Sequence, residues 1–126
     1  MKKEIIISAL FVIMVAAGFL NVSRLSSLTT ELTRAAEKAA DAALEEDWES
    51  AEAHATRAFS RWKDHGNYLT LVLRHGVIEQ AEGAIIGLLT DIYSQDKGRV
   101  QGSAEAVRRS MESIATVEQV RWGSIF

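Results

Sequence analysis

The chain opens with Met1-Lys2-Lys3-Glu4 and then runs from Ile5 to Ser23 without a charge, its strongly apolar part being Ile5 to Leu20. From Arg24 on the pattern changes. Apolar residues now recur at spacings of three and four, which places them on one side of a helix. Leu25, Leu28, Leu32, Ala35, Ala36, Ala39 and Ala43 predict a helix from about Arg24 to Leu44. Glu45-Glu46-Asp47 reads as a solvated turn, with Asp47 placed to cap the next helix by accepting from one of its orphan N–H groups. That second helix carries Trp48, Ala51, Ala55, Ala58, Phe59 and Trp62 on one stripe, and Gly66 suits a left-handed position at its end. A third helix, the longest beyond the anchor, is predicted from about Tyr68 to Ser94 on the stripe Leu71, Val72, His75, Ile78, Glu82, Ile85, Leu89 and Ile92. A fourth carries Val100, Ala104, Val107, Met111 and Ile114. The tail from Val117 to Phe126 is expected to fold back over the open end of the bundle.

Short connections imply antiparallel neighbours. The architecture read from the pattern is therefore all-α: a single N-terminal transmembrane helix followed by a small antiparallel helical bundle of about four helices. Gly76, Gly83 and Gly87 fall on one side of the third helix, where each costs roughly 1 kcal/mol against alanine. They are expected to let its backbone approach the alanine face of the first bundle helix.

The uncharged run is 19 residues long, close to the ~20 that cross a bilayer as a helix. Lys2 and Lys3 precede it, and only Arg24 follows closely. Positive charge stays on the cytoplasmic side, so the N-terminus is expected inside and the rest outside. This gives residues 1–23 as a transmembrane signal anchor and residues 24–126 as an extracytoplasmic bundle. Two other readings compete: a signal peptide cleaved near Ala16-Ala17-Gly18, and a buried core helix. Nothing breaks the chain between Leu20 and Arg24, which lets the membrane helix continue straight into the bundle.

Composition narrows the classes further. At 126 residues the chain has room for one domain, and 48% hydrophobic with 25% charged is a folding composition. The absence of cysteine excludes disulfide scaffolds, thiolate metal sites and cysteine nucleophiles, and the absence of proline suits long helices. Net charge is −3, and beyond residue 23 the chain holds 12 basic and 16 acidic residues, a balance of −4. That is the wrong sign for a nucleic-acid binder or for adhesion to an anionic lipid surface by charge.

Several residues together carry a resemblance. A short basic N-terminus precedes one apolar helix. Asp47-Trp48-x-x-Ala51 starts a helix, Trp62 follows at helical spacing, His75 has Ile78 behind it, and the chain closes in Ile125-Phe126. In these features the sequence resembles the small membrane-anchored bacterial proteins grouped as domain of unknown function 4363, over almost its whole length. The family pattern has an asparagine before the terminal pair, where this chain has Ser124. The resemblance implies no activity, cofactor or catalytic residue. Trp48-Glu49-Ser50-Ala51 with Ala58-Phe59 is also similar to one helix of a tetratricopeptide repeat, but 34 residues after Ala51 comes Ile85, inside a helical run with no second copy.

His75, Glu79 and Glu82 lie at i, i+4 and i+7, on or beside one helix face. They are expected to form a buried polar cluster, with Arg57 or Arg61 as a candidate partner, and His75→Ala is expected to destabilise the fold. The paired Glu-x-x-His pattern of bundle di-metal sites is missing, so neither a metal nor a cofactor is expected. Trp48, Trp62 and Tyr68 are read as core aromatics. Trp122, with Ile125 and Phe126, is the candidate contact for a partner. No phosphate loop or nucleophile elbow is present. The function expected is a non-catalytic accessory or scaffold, held in lipid by residues 5–23 and binding another membrane or envelope protein. A ligand-sensing extracytoplasmic bundle is the alternative, with a metal-dependent enzyme using His75 and Glu82 behind it.

Overall fold

The computed structural model describes the backbone of residues 1–125 and the side chains of all of these except 118, 119 and 121–125. Five helices follow one another: α1 (Lys2–Leu44), α2 (Trp48–Asp64), α3 (Gly66–Val72), α4 (His75–Tyr93) and α5 (Lys97–Ile125). No strand occurs among the described residues.

α1 runs through the junction between the apolar run and the amphipathic stripe without interruption. Its 43 residues extend about 64 Å at 1.5 Å per residue. The two halves have opposite surroundings. Ile5, Phe11 and Phe19 are 68%, 57% and 74% exposed, whereas Leu25, Leu28, Leu32, Ala36, Ala39 and Ala43 are buried. The apolar window that is long enough to cross a membrane is only 6% buried, so it is not interior of the bundle.

The bundle closes as a ring in the order α1, α2, α4, α5, each helix packing on its two neighbours in that cycle. Two tight turns sit at one end. In each, a non-glycine residue takes a left-handed conformation, Glu46 (φ 60°) and Gln95 (φ 54°), and an aspartate follows it. Asp47 accepts from Ser50 N–H at 3.2 Å, as its position predicts, and Asp96 accepts from Arg99 N–H at 3.1 Å. Lys97 joins the turns through an ion pair with Glu46 at 3.1 Å. Further down the α1–α5 seam, Gln101 Nε2 donates to Ala40 O at 2.9 Å. At the opposite end Tyr68 of α3 donates to Asn21 O at 3.1 Å, which pins α3 beside the point where α1 leaves the bundle.

Alanine sets the closeness of the α1–α2 packing. Ala36, Ala39 and Ala43 on α1 and Ala51, Ala55 and Ala58 on α2 are all 0–1% exposed. With one carbon per side chain at the contact, helix axes lie at the near end of the usual spacing. The larger volumes fill the middle of the ring: Leu25, Leu32, Trp62, Leu69, Ile85, Leu88 and Met111 are fully buried. Thr29 is the one buried polar side chain among the described residues, and its hydroxyl donates to Ser26 O at 3.0 Å.

The structure corrects the sequence reading in four places. The long third helix is two helices, broken at Leu73 and Arg74, both of which are extended (ψ 152° and 145°). Neither is glycine or proline, so no local signal marks the break. The break lets α3 turn to α1, where Tyr68 donates to Asn21 O, while α4 packs along α5 and α2. The break also shifts the helical phase, so the buried set is Leu69, Ala81, Ile85, Leu88 and Ile92, while Leu71 is 85% exposed. Gly66 begins α3 instead of ending α2, and no glycine among the described residues has positive φ. Gly76, Gly83 and Gly87 face open space, for a Cβ on any of them would meet nothing within 4 Å. Finally, the segment after Ile114 does not fold back, because α5 continues as helix to Ile125.

The alanine seam makes a clear prediction. Ala55→Leu is expected to cost about 1–3 kcal/mol by overpacking. Ala53→Leu, on the exposed side of the same helix, should change stability by less than about 0.5 kcal/mol. Chemical denaturation of both variants beside the parent measures the difference.

Candidate functional site

The three residues expected to form one buried polar cluster do not form it. His75 and Glu79 begin α4 as an exposed i, i+4 pair, with Nε2 to Oε1 at 2.9 Å and side chains 86% and 68% exposed. Glu82 turns the other way and pairs with Lys63 of α2, which also lies over the Phe59 ring at 5.6 Å. Arg61, offered as a partner for the histidine, is engaged elsewhere. The reason is the break at Leu73–Arg74, which puts His75 at a helix start on the outside of the corner. Among the described residues no group of three His, Asp or Glu is placed to share a metal ion. Trp62 is core, whereas Trp48 and Tyr68 are half-buried at its edge. Phe126 and the side chains of Trp122 and Ile125 lie outside the described residues.

Of the concave surfaces among the described residues, two differ sharply in chemistry. The first is a cleft of about 530 Å³ between α1 and α2. α1 supplies one stripe to it, Ser23, Ser27, Thr30, Arg34 and Lys38, at spacings of four and three that keep them in line. α2 supplies His54, Arg57 and Arg61 at the same spacings. Glu31 is the only carboxylate in the lining, and Arg61 holds it at two points, Nε to Oε1 at 2.9 Å and Nη2 to Oε2 at 3.2 Å. Below it, His65 Nδ1 meets Arg61 O at 2.8 Å, and Arg24 stacks 4.3 Å from the centre of the Tyr68 ring. The cleft is thus a basic, hydroxyl-bearing slot. Sequence reasoning missed it, although Arg34 with Lys38 and Arg57 with Arg61 stand at i, i+4 beside the alanine stripes that bring their helices together.

The second surface is a groove of about 520 Å³ where the α3–α4 corner faces α5. Its lining is mostly apolar: Leu71, Val72, Leu73, Val77, Ile114 and Val117, with Arg74 and Ser113. It continues along the α4–α5 seam over Ala81, Ala84 and Ala106. Leu71 and Val117 are 85% and 58% exposed at its lip.

On the outside of α5, Glu105 gathers Arg108 and Arg109. The Arg108 hydrogen bond, with the charges of both guanidiniums, holds the Glu105 carboxyl down to about 2 from an ordinary 4.5. Arg108 is raised in turn, first by its bond to Glu105.

A family model described as domain of unknown function (DUF4363) matches residues 19–125. The chain belongs to the domain of unknown function 4363 family. The match takes in the whole bundle and starts at Phe19, so most of the apolar segment lies before it. Comparison with the curated proteins and with the solved structures gives no match.

Two predictions follow from these side chains. His75→Ala is expected to change the unfolding free energy by less than about 0.5 kcal/mol, the usual effect of an exposed substitution; a thermal or denaturant midpoint clearly below the parent's would contradict the exposed placement. Because Glu105 is depressed in the folded state, its contribution is present above pH 4.5 and lost as pH falls through about 2. The difference in thermal midpoint between the parent and Glu105→Gln should therefore stay constant above that window and shrink within it.

Proposed function

We propose that this chain is a single-pass membrane protein whose N-terminus is cytoplasmic and whose residues 24–126 form an extracytoplasmic bundle. In this reading it acts without catalysis, as an accessory or scaffold for another membrane or envelope protein. Residues 5–23 serve as the anchor. Their length, lack of charge and exposure support this, and Lys2 and Lys3 before them support the orientation.

The observation that carries the partner role is the apolar groove at the α3–α4 corner. Tyr68, bonded to Asn21, fixes this corner beside the emergence of α1. Leu71 is exposed there next to Leu73, Val77 and Ile114, with Arg74 as the only charge in that lining. An exposed apolar groove bordered by charge is the surface a protein partner covers. Its position low on the bundle suits a partner that is itself held in the same membrane, such as the first extramembrane turns of a neighbouring helix. Trp122, Ile125 and Phe126 remain candidate contacts by sequence.

A second reading, ligand sensing, is favoured by the separate basic cleft. The metal-dependent alternative has no such support, since His75 and Glu82 engage different partners.

A photo-crosslinking residue placed at Leu71 in intact membranes tests the scaffold role. It is expected to trap a discrete protein adduct, and the same residue at the exposed Glu52 on α2 is expected to trap none. If neither position gives an adduct while the chain is membrane-inserted, the scaffold role fails.

A further inference from the structure

We infer that the α1–α2 cleft binds a soluble, phosphate-bearing small anion. Charge segregation is the first reason. Beyond residue 23 the chain has four more acidic than basic residues, yet the cleft is lined by Arg34, Lys38, Arg57 and Arg61 against Glu31 alone. Glu31 is taken up by Arg61. Arg34, Lys38 and Arg57 are in none of the ion pairs of the described residues. Like charges gathered without partners repel one another, and a bound anion reverses the sign of that interaction.

The second reason is the donor set. Hydroxyls share the α1 stripe with Arg34 and Lys38, and α2 lines the same cleft with Arg57 and Arg61. Hydroxyls give one proton each and guanidiniums a planar fork, which together match tetrahedral oxyanions. The volume, about 530 Å³, fits a small molecule.

Position separates the two sources of phosphate. Arg34 lies fourteen residues past Leu20, about 21 Å along the helix, whereas headgroups extend only about 5–8 Å beyond the hydrocarbon on each face. A lipid phosphate would reach the Ser23 end and miss the three cations. This step rests on the anchoring reading; the anion chemistry does not depend on the partner.

The test uses the full chain in phosphatidylcholine nanodiscs, titrated calorimetrically with sodium tripolyphosphate. Saturable binding is expected, weaker at about 0.15 M than at about 0.05 M salt. The triple variant R34Q/K38Q/R57Q should lose about tenfold or more in affinity, since each charge-assisted bond is strong. R99Q, which removes a cation paired with Asp96 on α5, should bind as the parent does, and circular dichroism checks that both variants keep their helix content. Absence of saturation, or equal binding by the triple variant, overturns the proposal. Nanodiscs that include phosphatidylglycerol distinguish the sources. Unchanged tripolyphosphate binding at the higher salt supports a soluble ligand, and its loss would hand the cleft to a lipid headgroup and overturn the assignment.

Discussion

α1 meets two environments with one backbone. Every interior N–H along it is bonded within the helix, so the segment before Asn21 keeps its hydrogen bonds in hydrocarbon as well as in water. The change from apolar surface to buried stripe occupies the few residues between Leu20 and Leu25. At that junction Tyr68 donates to Asn21 and carries Arg24 on its ring, a contact between residues 47 apart in sequence. This joint ties the lower corner of the bundle to the helix that leaves it. Both concave surfaces take their position from it: the basic cleft climbs α1 from Ser23, and the apolar groove opens on the other side of α3.

Side-chain size sets how closely the helices of the ring α1, α2, α4, α5 pack. Alanine stripes bring α1 and α2 close, and long aliphatic side chains from α4 and α5 fill the remaining width with Trp62. The polar faces are then left outside. On α5 this yields the Glu105, Arg108, Arg109 and Glu112 network, exposed and local, of a kind worth little to stability in isolation. On α1 and α2 it yields the opposite outcome, because two cationic stripes face across a narrow gap with one carboxylate between them.

Much of this was legible in the sequence. The α1 stripe, the α2 stripe and the α5 set from Val100 to Ile114 are buried almost residue for residue, and Asp47 caps as its position requires. These segments are long, regular and free of phase changes, so periodicity alone locates their inner faces. The stretch from Gly66 to Tyr93 was not legible in the same way. Its break has no glycine or proline, and α3 is held to α1 by the bond from Tyr68 to Asn21, a tertiary contact that a local window does not contain. The error spread from there: Leu71 and His75 were assigned to an inner face that exists only if the helix is continuous, and the glycines were given a neighbour they lack. The basic cleft was hidden for a related reason. Its cations are unremarkable on each helix alone and become a site only when the alanine seam sets the two stripes against each other.

The cleft and the groove lie on opposite edges of the ring, α1–α2 against α4–α5. Neither shares a lining residue with the other, so occupation of one leaves the other open. They also differ in chemistry, one cationic with hydroxyls and the other apolar. In that arrangement the scaffold and ligand-sensing readings describe one bundle used from its two sides.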